Sequence, residues 1–263
     1  MNMSLLGKRA LVCGSTQGIG RACAAALAEL GASVALLARN ADALERVRSE
    51  LAIGAAQSHR AIVADFADPA SVKKAVEADL ASNPSGYQVL INNTGGPPGG
   101  RAIDARPEEY TAAFSMHVVC AQIITAAVVP GMRAAKFGRI INIISTSVKA
   151  PIPNLGVSNT IRGAVAQWAK TLAGELGADG ITVNNVLPGY TDTERLSALI
   201  KARAEKSKST PEAVAEEMKK TIPMGRFGSA GEIAAAVAFL ASPAASYISG
   251  INLPVDGGRT PGL

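Results

Sequence analysis

Short aliphatic runs alternate with stretches of helical period along the whole chain, and this alternation restricts the fold more than any other feature. Arg9–Cys13 (RALVC) reads as a buried strand, and Ile19–Leu30 as a helix that Gly31 caps. Further strands are expected at Ser33–Leu37, Ala61–Ala64, Gln88–Ile91, Arg139–Ile144, Ile181–Leu187 and Ile251–Val255. Helices are expected at Ala41–Leu51, Pro69–Ala81, Pro107–Lys136, Leu155–Leu176 and Glu232–Leu240. The polar stretch Ser197–Thr221 also reads as helical, with Thr210-Pro211-Glu212 as a helix start. Strands this apolar belong to a parallel sheet covered on both faces. Right-handed crossovers then place helices on both sides. The expectation is a Rossmann-type α/β fold, a doubly wound parallel seven-stranded sheet with helices on both faces. It forms one domain over residues 1–263, with a helical lid near residues 190–225.

Composition narrows the partners. Apolar residues make up 48% of the chain, enough for a full core, and the net charge is only +5. The basic cluster Lys201–Lys208 contains one acid, Glu205, and reads as a solvated helix face. No aromatic residues interleave with it, so nucleic acid is not an expected partner. Cys13, Cys23 and Cys120 are odd in number and form no CxxC pair or metal cluster with His59 and His117. That pattern fits a reducing cytoplasm and no metal site. No apolar run precedes Lys8 and Arg9, and no stretch has the uninterrupted apolar length of a membrane span. No membrane association is expected.

The first strand–helix junction carries Gly14-Ser15-Thr16-Gln17-Gly18-Ile19-Gly20. Glycines at this spacing allow a tight turn and a close backbone approach to a pyrophosphate, with the N–H groups of the next helix facing it. The plain alternative is an ordinary Gly-rich turn, but its place after the first strand favours a dinucleotide. At the end of the second strand, where an NAD site usually carries an acid, the chain has Ala38 and then Arg39. Arg39 is suited to a 2′-phosphate, so NADP is expected rather than NAD. The alternative for Arg39 is a solvated cation at a strand end.

With these motifs in order, the chain resembles the short-chain dehydrogenase/reductase family over nearly its whole length, most closely the 3-oxoacyl-carrier-protein reductases. Gly14, Gly18 and Gly20 match the family's cofactor turn, with Cys13 where Thr is usual. Asp65, with Phe66 beside it, matches the acid at adenine, and Asn92-Asn93-Thr94-Gly95 matches NNAG. Gly138–Ser145 matches the strand leading to the catalytic Ser, and Pro188, Gly189 and Thr191 match the nicotinamide loop. Tyr247-Ile248-Ser249-Gly250 and Asp256-Gly257-Gly258 match the C-terminal signature. The resemblance implies that Ser15, Gln17, Ile19, Asn93, Gly95 and Arg162 also face the cofactor.

The resemblance breaks at the reacting centre. The family uses Asn, Ser, Tyr and Lys. Ser145 keeps the Ser, but the Tyr position maps to Ser158, the Lys position to Arg162 and the Asn position to His117. Gly163-Ala164-Val165 and Ala169–Ala173 match the residues C-terminal to the family's YxxxK pair and fix this alignment. Ser158 and Arg162 stay one turn apart on one helix face. Ser is a poorer acid than Tyr, and Arg cannot relay a proton. His117, titrating near neutrality, and Lys149, four residues past Ser145, are the candidate proton donors. Tyr190 is expected to pack.

Three functions compete. One is an NADPH-dependent oxidoreductase reducing a carbonyl, 3-oxoacyl-like or a small ketone, with a rebuilt proton donor. Another is a nucleotide-binding sensor or scaffold without hydride transfer. The third is reduction of an activated C=C bond. A homotetramer is expected, because Val157, Ile161, Val165, Trp168, Leu172 and Leu176 form an apolar stripe on a helix that pairs across a two-fold axis in the family.

Overall fold

The aliphatic runs become strands because helices bury them on both sides. The computed structural model describes residues 1–262. In chain order the elements are β1 (Arg9–Cys13), α1 (Gly18–Glu29), β2 (Ser33–Ala38), α2 (Ala41–Glu50), β3 (Arg60–Val63), α3 (Pro69–Ala81), β4 (Val89–Asn92), α4 (Pro107–Phe114) and α5 (Cys120–Ala134). The remainder are β5 (Gly138–Ile143), α6 (Gly156–Leu176), β6 (Ile181–Pro188), β7 (Thr191–Asp192), α7 (Glu194–Ser207), α8 (Pro211–Lys220), β8 (Gly228–Ser229), α9 (Ala230–Ala241) and β9 (Asn252–Val255). The large sheet runs β3-β2-β1-β4-β5-β6-β9, and every neighbouring pair is parallel. This is the seven-stranded, doubly wound architecture expected from the alternation.

Side chains of successive strand residues divide between two cores. Ala10 and Val12 of β1 join Leu27 of α1, Leu44 of α2 and Val237 of α9 on one face. Leu11 and Cys13 join Val76 of α3, Ile124 of α5 and Leu176 of α6 on the other. A fully buried Leu or Ile contributes about 1.5–3 kcal/mol, so both faces bind their helices firmly. The helical stretch Pro107–Ala134 is long and apolar enough to cross a membrane by length and composition. Here its apolar face, with Ile124, Val128 and Met132, covers the sheet, and Ser115, His117, Gln122 and Thr125 interrupt the run.

A row of amides crosses the second half of the sheet. Asn92 donates to Asn142 at 2.9 Å, Asn142 to Asn185 at 2.9 Å, and Asn185 to Asn252 at 2.8 Å. These residues are register partners on β4, β5, β6 and β9. Asn142 and Asn185 each donate and accept within the row, which is how their burial is tolerated, while the Asn92 Oδ1 has no partner.

Three features differ from the sequence expectation. The helix beginning at Pro107 has a five-residue π-helical turn, Ser115–Val119, between α4 and α5. The polar stretch is two helices: Lys208 adopts a left-handed conformation (φ 52°) that ends α7, while α8 begins at the expected Thr210-Pro211, capped by the Thr210 hydroxyl. α7 and α8 pack on each other through Leu196, Ile200 and Met218. The two-residue parallel pair β7–β8 beneath them was not expected. The α6 stripe is largely buried within the chain itself at Val157, Ile161, Val165 and Leu176, while Trp168 and Leu172 remain half-buried.

Candidate active site

The phosphate turn is shaped by what cannot fit in it. Gly14 has φ +59° and Gly18 φ +53°, conformations that glycine adopts without strain. A Cβ on Gly20 would lie 2.1 Å from the Gly14 carbonyl oxygen, so α1 must begin with glycine there. Asn93 holds the turn from the neighbouring strand, its amide nitrogen donating to the carbonyls of Cys13 and Gly14 at 3.3 and 3.2 Å. Gln17 stands at the N-cap of α1 without a side-chain capping bond, so the first amides of α1 remain available. Ser15 is fully buried, and its hydroxyl has no partner. Ile19 packs on the core and aims the helix.

Around the turn, Arg39 is exposed just past β2. Asp65 accepts from the Ala67 amide at 2.9 Å and fixes the bend after β3, and Phe66 lines the central cavity. Gly95 lies in the loop after β4, exposed. Gly189 allows the chain after β6 to pass Asp256, whose Cβ would be 2.6 Å from an added Cβ. Pro188 ends β6 beside Val255, and the Thr191 hydroxyl donates to the Gly189 carbonyl at 3.2 Å. The methyl of Thr193 is 3.4 Å from the Cβ position of Gly18, so the segment leading into α7 begins directly over the phosphate turn.

The reacting side is built by β5 and α6. Arg162 is only 9% exposed, and its Nη1 donates to the Ile143 carbonyl at 2.9 Å. That bond lays the α6 face against the carboxyl end of β5, two residues before Ser145. Ser158 lies one turn before Arg162 on the same face and is also buried. The Ser145 hydroxyl accepts from the Ser147 amide at 3.1 Å, which starts a short 3-10 turn. Arg162, His117, Asn92, Asn93, Asn142 and Ile144 line one cavity of about 20 Å³, enough for a single water. No carboxylate lines it among the described residues. Burial, then the charge of Arg195, lowers the Arg162 guanidinium to about 10, so it stays charged at neutral pH.

Of the two candidate proton donors, His117 departs from its expected titration near neutrality. His117 sits in the π-helical turn, 5% exposed, with Nε2 unpaired. Burial, then the positive charges of Arg162 and Arg195, lower its pKa to about 3, and a Gly95 backbone bond offsets only part. It is neutral near pH 7 and does not titrate there. Lys149 is exposed on the turn after Ser145 and, like Ser145 and Ser158, does not line this cavity. No tyrosine takes the missing place. Tyr87 donates to Asp79, Tyr110 donates to the Ala102 carbonyl, and Tyr247 is fully exposed. Tyr190 accepts from Arg259 and stacks under it, with Phe227 edge-on at 6.3 Å.

Sequence reasoning did not assign Arg195 a role. Arg195, in the first turn of α7, reaches across to donate to the carbonyls of Gly96 at 3.2 Å and Pro97 at 3.4 Å. The available signal was a cation at a helix start, where the dipole favours acids, just past the loop at Thr191. Asn142 and Asn185 were not singled out, although each is a lone amide or one of a pair in an aliphatic run, and Asn92 was read only as part of the Asn92-Asn93-Thr94-Gly95 motif.

The chain is similar to known reductases over nearly its whole length. A family model described as enoyl-(acyl carrier protein) reductase matches residues 14–260. The chain is 34% identical over 258 residues to the 3-oxoacyl-(acyl-carrier-protein) reductase FabG of Pseudomonas aeruginosa, covering 97% of this chain and 98% of the relative. It is 31% identical over 251 residues to the NADPH-dependent reductase BacG of Bacillus subtilis, covering 95% and 97%. Its fold matches L-sorbose reductase from Gluconobacter frateurii, solved with NADPH and L-sorbose, with a TM-score of 0.93 at 30% identity over the whole of both chains. From the strand order, the glycine-lined turn and these relatives together, the chain belongs to the short-chain dehydrogenase/reductase family.

Proposed function

We propose that the protein is an NADPH-dependent reductase of a carbonyl group, working with arginine and serine where the family has lysine and tyrosine. The fit to the cofactor rests on three features: a cradle that a Cβ on Gly20 would fill, the orphaned Ser15 hydroxyl, and uncapped amides at the start of α1. In this reading Gly14, Ser15, Gln17, Gly18, Ile19 and Gly20 hold the phosphates, and Arg39 holds the 2′-phosphate that marks NADP. Asp65 and Phe66 flank the adenine, while Asn93, Gly95, Arg162, Pro188, Gly189 and Thr191 surround the nicotinamide end. The nicotinamide supplies the hydride.

The observation that carries the reading is Arg162, a buried cation whose one side-chain hydrogen bond among the described residues goes to a backbone carbonyl. Burying a charge with so little compensation costs several kcal/mol. Negative charge developing on a carbonyl oxygen offsets that cost, and it does so most in the transition state. Ser145 and Ser158 add neutral donors on the same side. With His117 neutral and Lys149 in solvent, the proton comes from water through the Ser158 hydroxyl. Helices α7 and α8 form the lid, which Arg195 latches to the loop after β4.

Steady-state NADPH oxidation against a panel of ketones, 3-oxoacyl thioesters and enoyl thioesters tests this. Enoyl thioesters belong in the panel because the matching family model is described as an enoyl reductase. Turnover of a carbonyl is expected, with Arg162→Ala lowering kcat about 10²–10³-fold, the scale of a removed oxyanion donor. NADPH binding without oxidation by any member would instead favour a nucleotide-binding protein that performs no reduction. Unchanged turnover in Arg162→Ala would make that residue structural.

A further inference from the structure

We propose that the cavity beside Arg162 binds one water molecule, and that this water joins the guanidinium to the negative end of the amide row and so positions it. Only the kinetic consequence rests on the reductase reading.

The row has a direction. Every amide in it points the same way, Asn92 donating to Asn142, Asn142 to Asn185 and Asn185 to Asn252. Hydrogen bonds in such a chain polarise one another. The acceptor left over is Asn92 Oδ1, at the β4 end, buried and without a partner. Asn92 lines the cavity of about 20 Å³ together with His117 and Arg162. His117 Nε2 is the other orphaned polar atom in that lining. The three side chains belong to residues only 8%, 5% and 9% exposed, so none can turn to solvent instead.

The polarity of these groups selects the occupant. Arg162 offers donors only. Asn92 presents a carbonyl oxygen. The Gly95 backbone bond favours a protonated ring at His117, so its partner atom is a carbonyl, and with Nε2 unpaired the ring hydrogen belongs on Nδ1. Nε2 then offers a lone pair. The occupant must accept from a cation and donate twice. One water does both with three bonds, and the volume admits one. A metal ion would sit against the guanidinium, and an anion would face two lone pairs.

The consequence is electrostatic. Dipoles steady the guanidinium without neutralising it, so its charge stays available to a carbonyl oxygen in the cleft. Both hydrogens of this water are committed to Asn92 and His117, so it supplies no proton to the reaction. His117 and the asparagines of the row are positioning residues.

The far end of the row gives a handle on the near end. Asn252 on β9 is half-buried and lies three strand spacings from Asn92, about 14 Å. It serves Asn185 as acceptor. An acceptor at this position keeps the present direction. A donor in its place would turn each amide over, and Asn92 would then show an N–H group to the cavity.

A crystal structure of the protein should show one ordered water within about 3.2 Å of Asn92 Oδ1, His117 Nε2 and an Arg162 nitrogen. Nitrogen-15 spectra of histidine-labelled protein, with only two histidines to assign, should place the His117 proton on Nδ1. On a ketone that the parent reduces, His117→Leu should lower kcat about ten-fold, the scale of one hydrogen bond to a charged group, with KM and NADPH affinity within about two-fold. His117→Gln, which supplies an acceptor oxygen, should restore most of the loss. Asn252→Asp should match the parent, whereas folded Asn252→Lys should lose the water and lose kcat as His117→Leu does. The inference is overturned by a dry cavity, by a proton on Nε2, by equal kcat in the two His117 variants, or by equal behaviour of the two Asn252 variants. If no ketone is reduced the reductase reading fails, and the crystal structure and the nitrogen spectra still decide the water site.

Discussion

The two sides of the cleft are built from different materials. At the β1 and β4 end, recognition is written in the backbone: a turn that only glycine fits, uncapped amides, and Asn93 bracing two carbonyls. At the β5 and α6 end it is written in side chains that project from a regular helix, Ser158 and Arg162. Altering the first means moving main chain. Altering the second means exchanging one side chain for another of tolerable volume, while α6 and its contacts stay in place. This explains how a chain can keep the family's cofactor turn and still depart at the Tyr and Lys positions.

The largest effect should come from reversing that exchange. Ser158→Tyr combined with Arg162→Lys should raise kcat/KM for simple ketones by at least about 10²-fold, the usual yield of a placed general acid. Far-UV dichroism would verify folding. No gain in a folded double variant would mean that the two sides are not separable. Next, Gly20→Ala drives a Cβ into the Gly14 carbonyl and should weaken NADPH by about 3 kcal/mol, roughly 100-fold, measured by fluorescence titration. An affinity unchanged by this substitution would show that the turn does not contact the phosphates.

His117 should impose a pH dependence on stability. Its folded pKa of about 3 lies below the ordinary 6.5, so below pH 6.5 the unfolded chain gains a proton that the folded protein refuses. Stability is therefore full above that pH and is lost as the pH falls toward 3. At pH 5 the loss is about 2 kcal/mol. Guanidinium unfolding at pH 7 and pH 5 should show that extra loss in the parent but not in His117→Asn, and equal losses would refute the burial argument. Smallest is Arg39→Ala, expected to weaken NADPH by about 1–2 kcal/mol while sparing NADH, as suits an exposed charge-assisted contact. Equal losses for both cofactors would remove Arg39 from the 2′-phosphate.

The same contrast decides what was legible in the sequence. The strands and the phosphate turn could be read because they depend on local composition: aliphatic runs, and glycines at a fixed spacing. The start of α8 was also legible, at Thr210-Pro211-Glu212, whereas the left-handed turn at Lys208 that ends α7 carries no local signal. The π-helical turn that inserts His117 also arises from packing and not from spacing. His117 was misjudged because its ordinary pKa says nothing of the two arginines brought beside it from α6 and α7. Arg195 went unnoticed for the same reason, its partners at Gly96 and Pro97 lying about a hundred residues away in the chain.

The amide row across β4, β5, β6 and β9 has a consequence for how this scaffold tolerates new chemistry. It works as a key: each asparagine meets its partner only in the native register, and sliding one strand by a residue would turn its amide to the opposite face. The orphaned groups would cost about 1–3 kcal/mol each, enough to reject the misalignment. Because the key lies within the strands, the heights at which Asn93, Ser145 and Pro188 leave the sheet are set independently of what α6 presents to them. A mutation on the helix face can thus try a new reaction against a frame of unchanged dimensions.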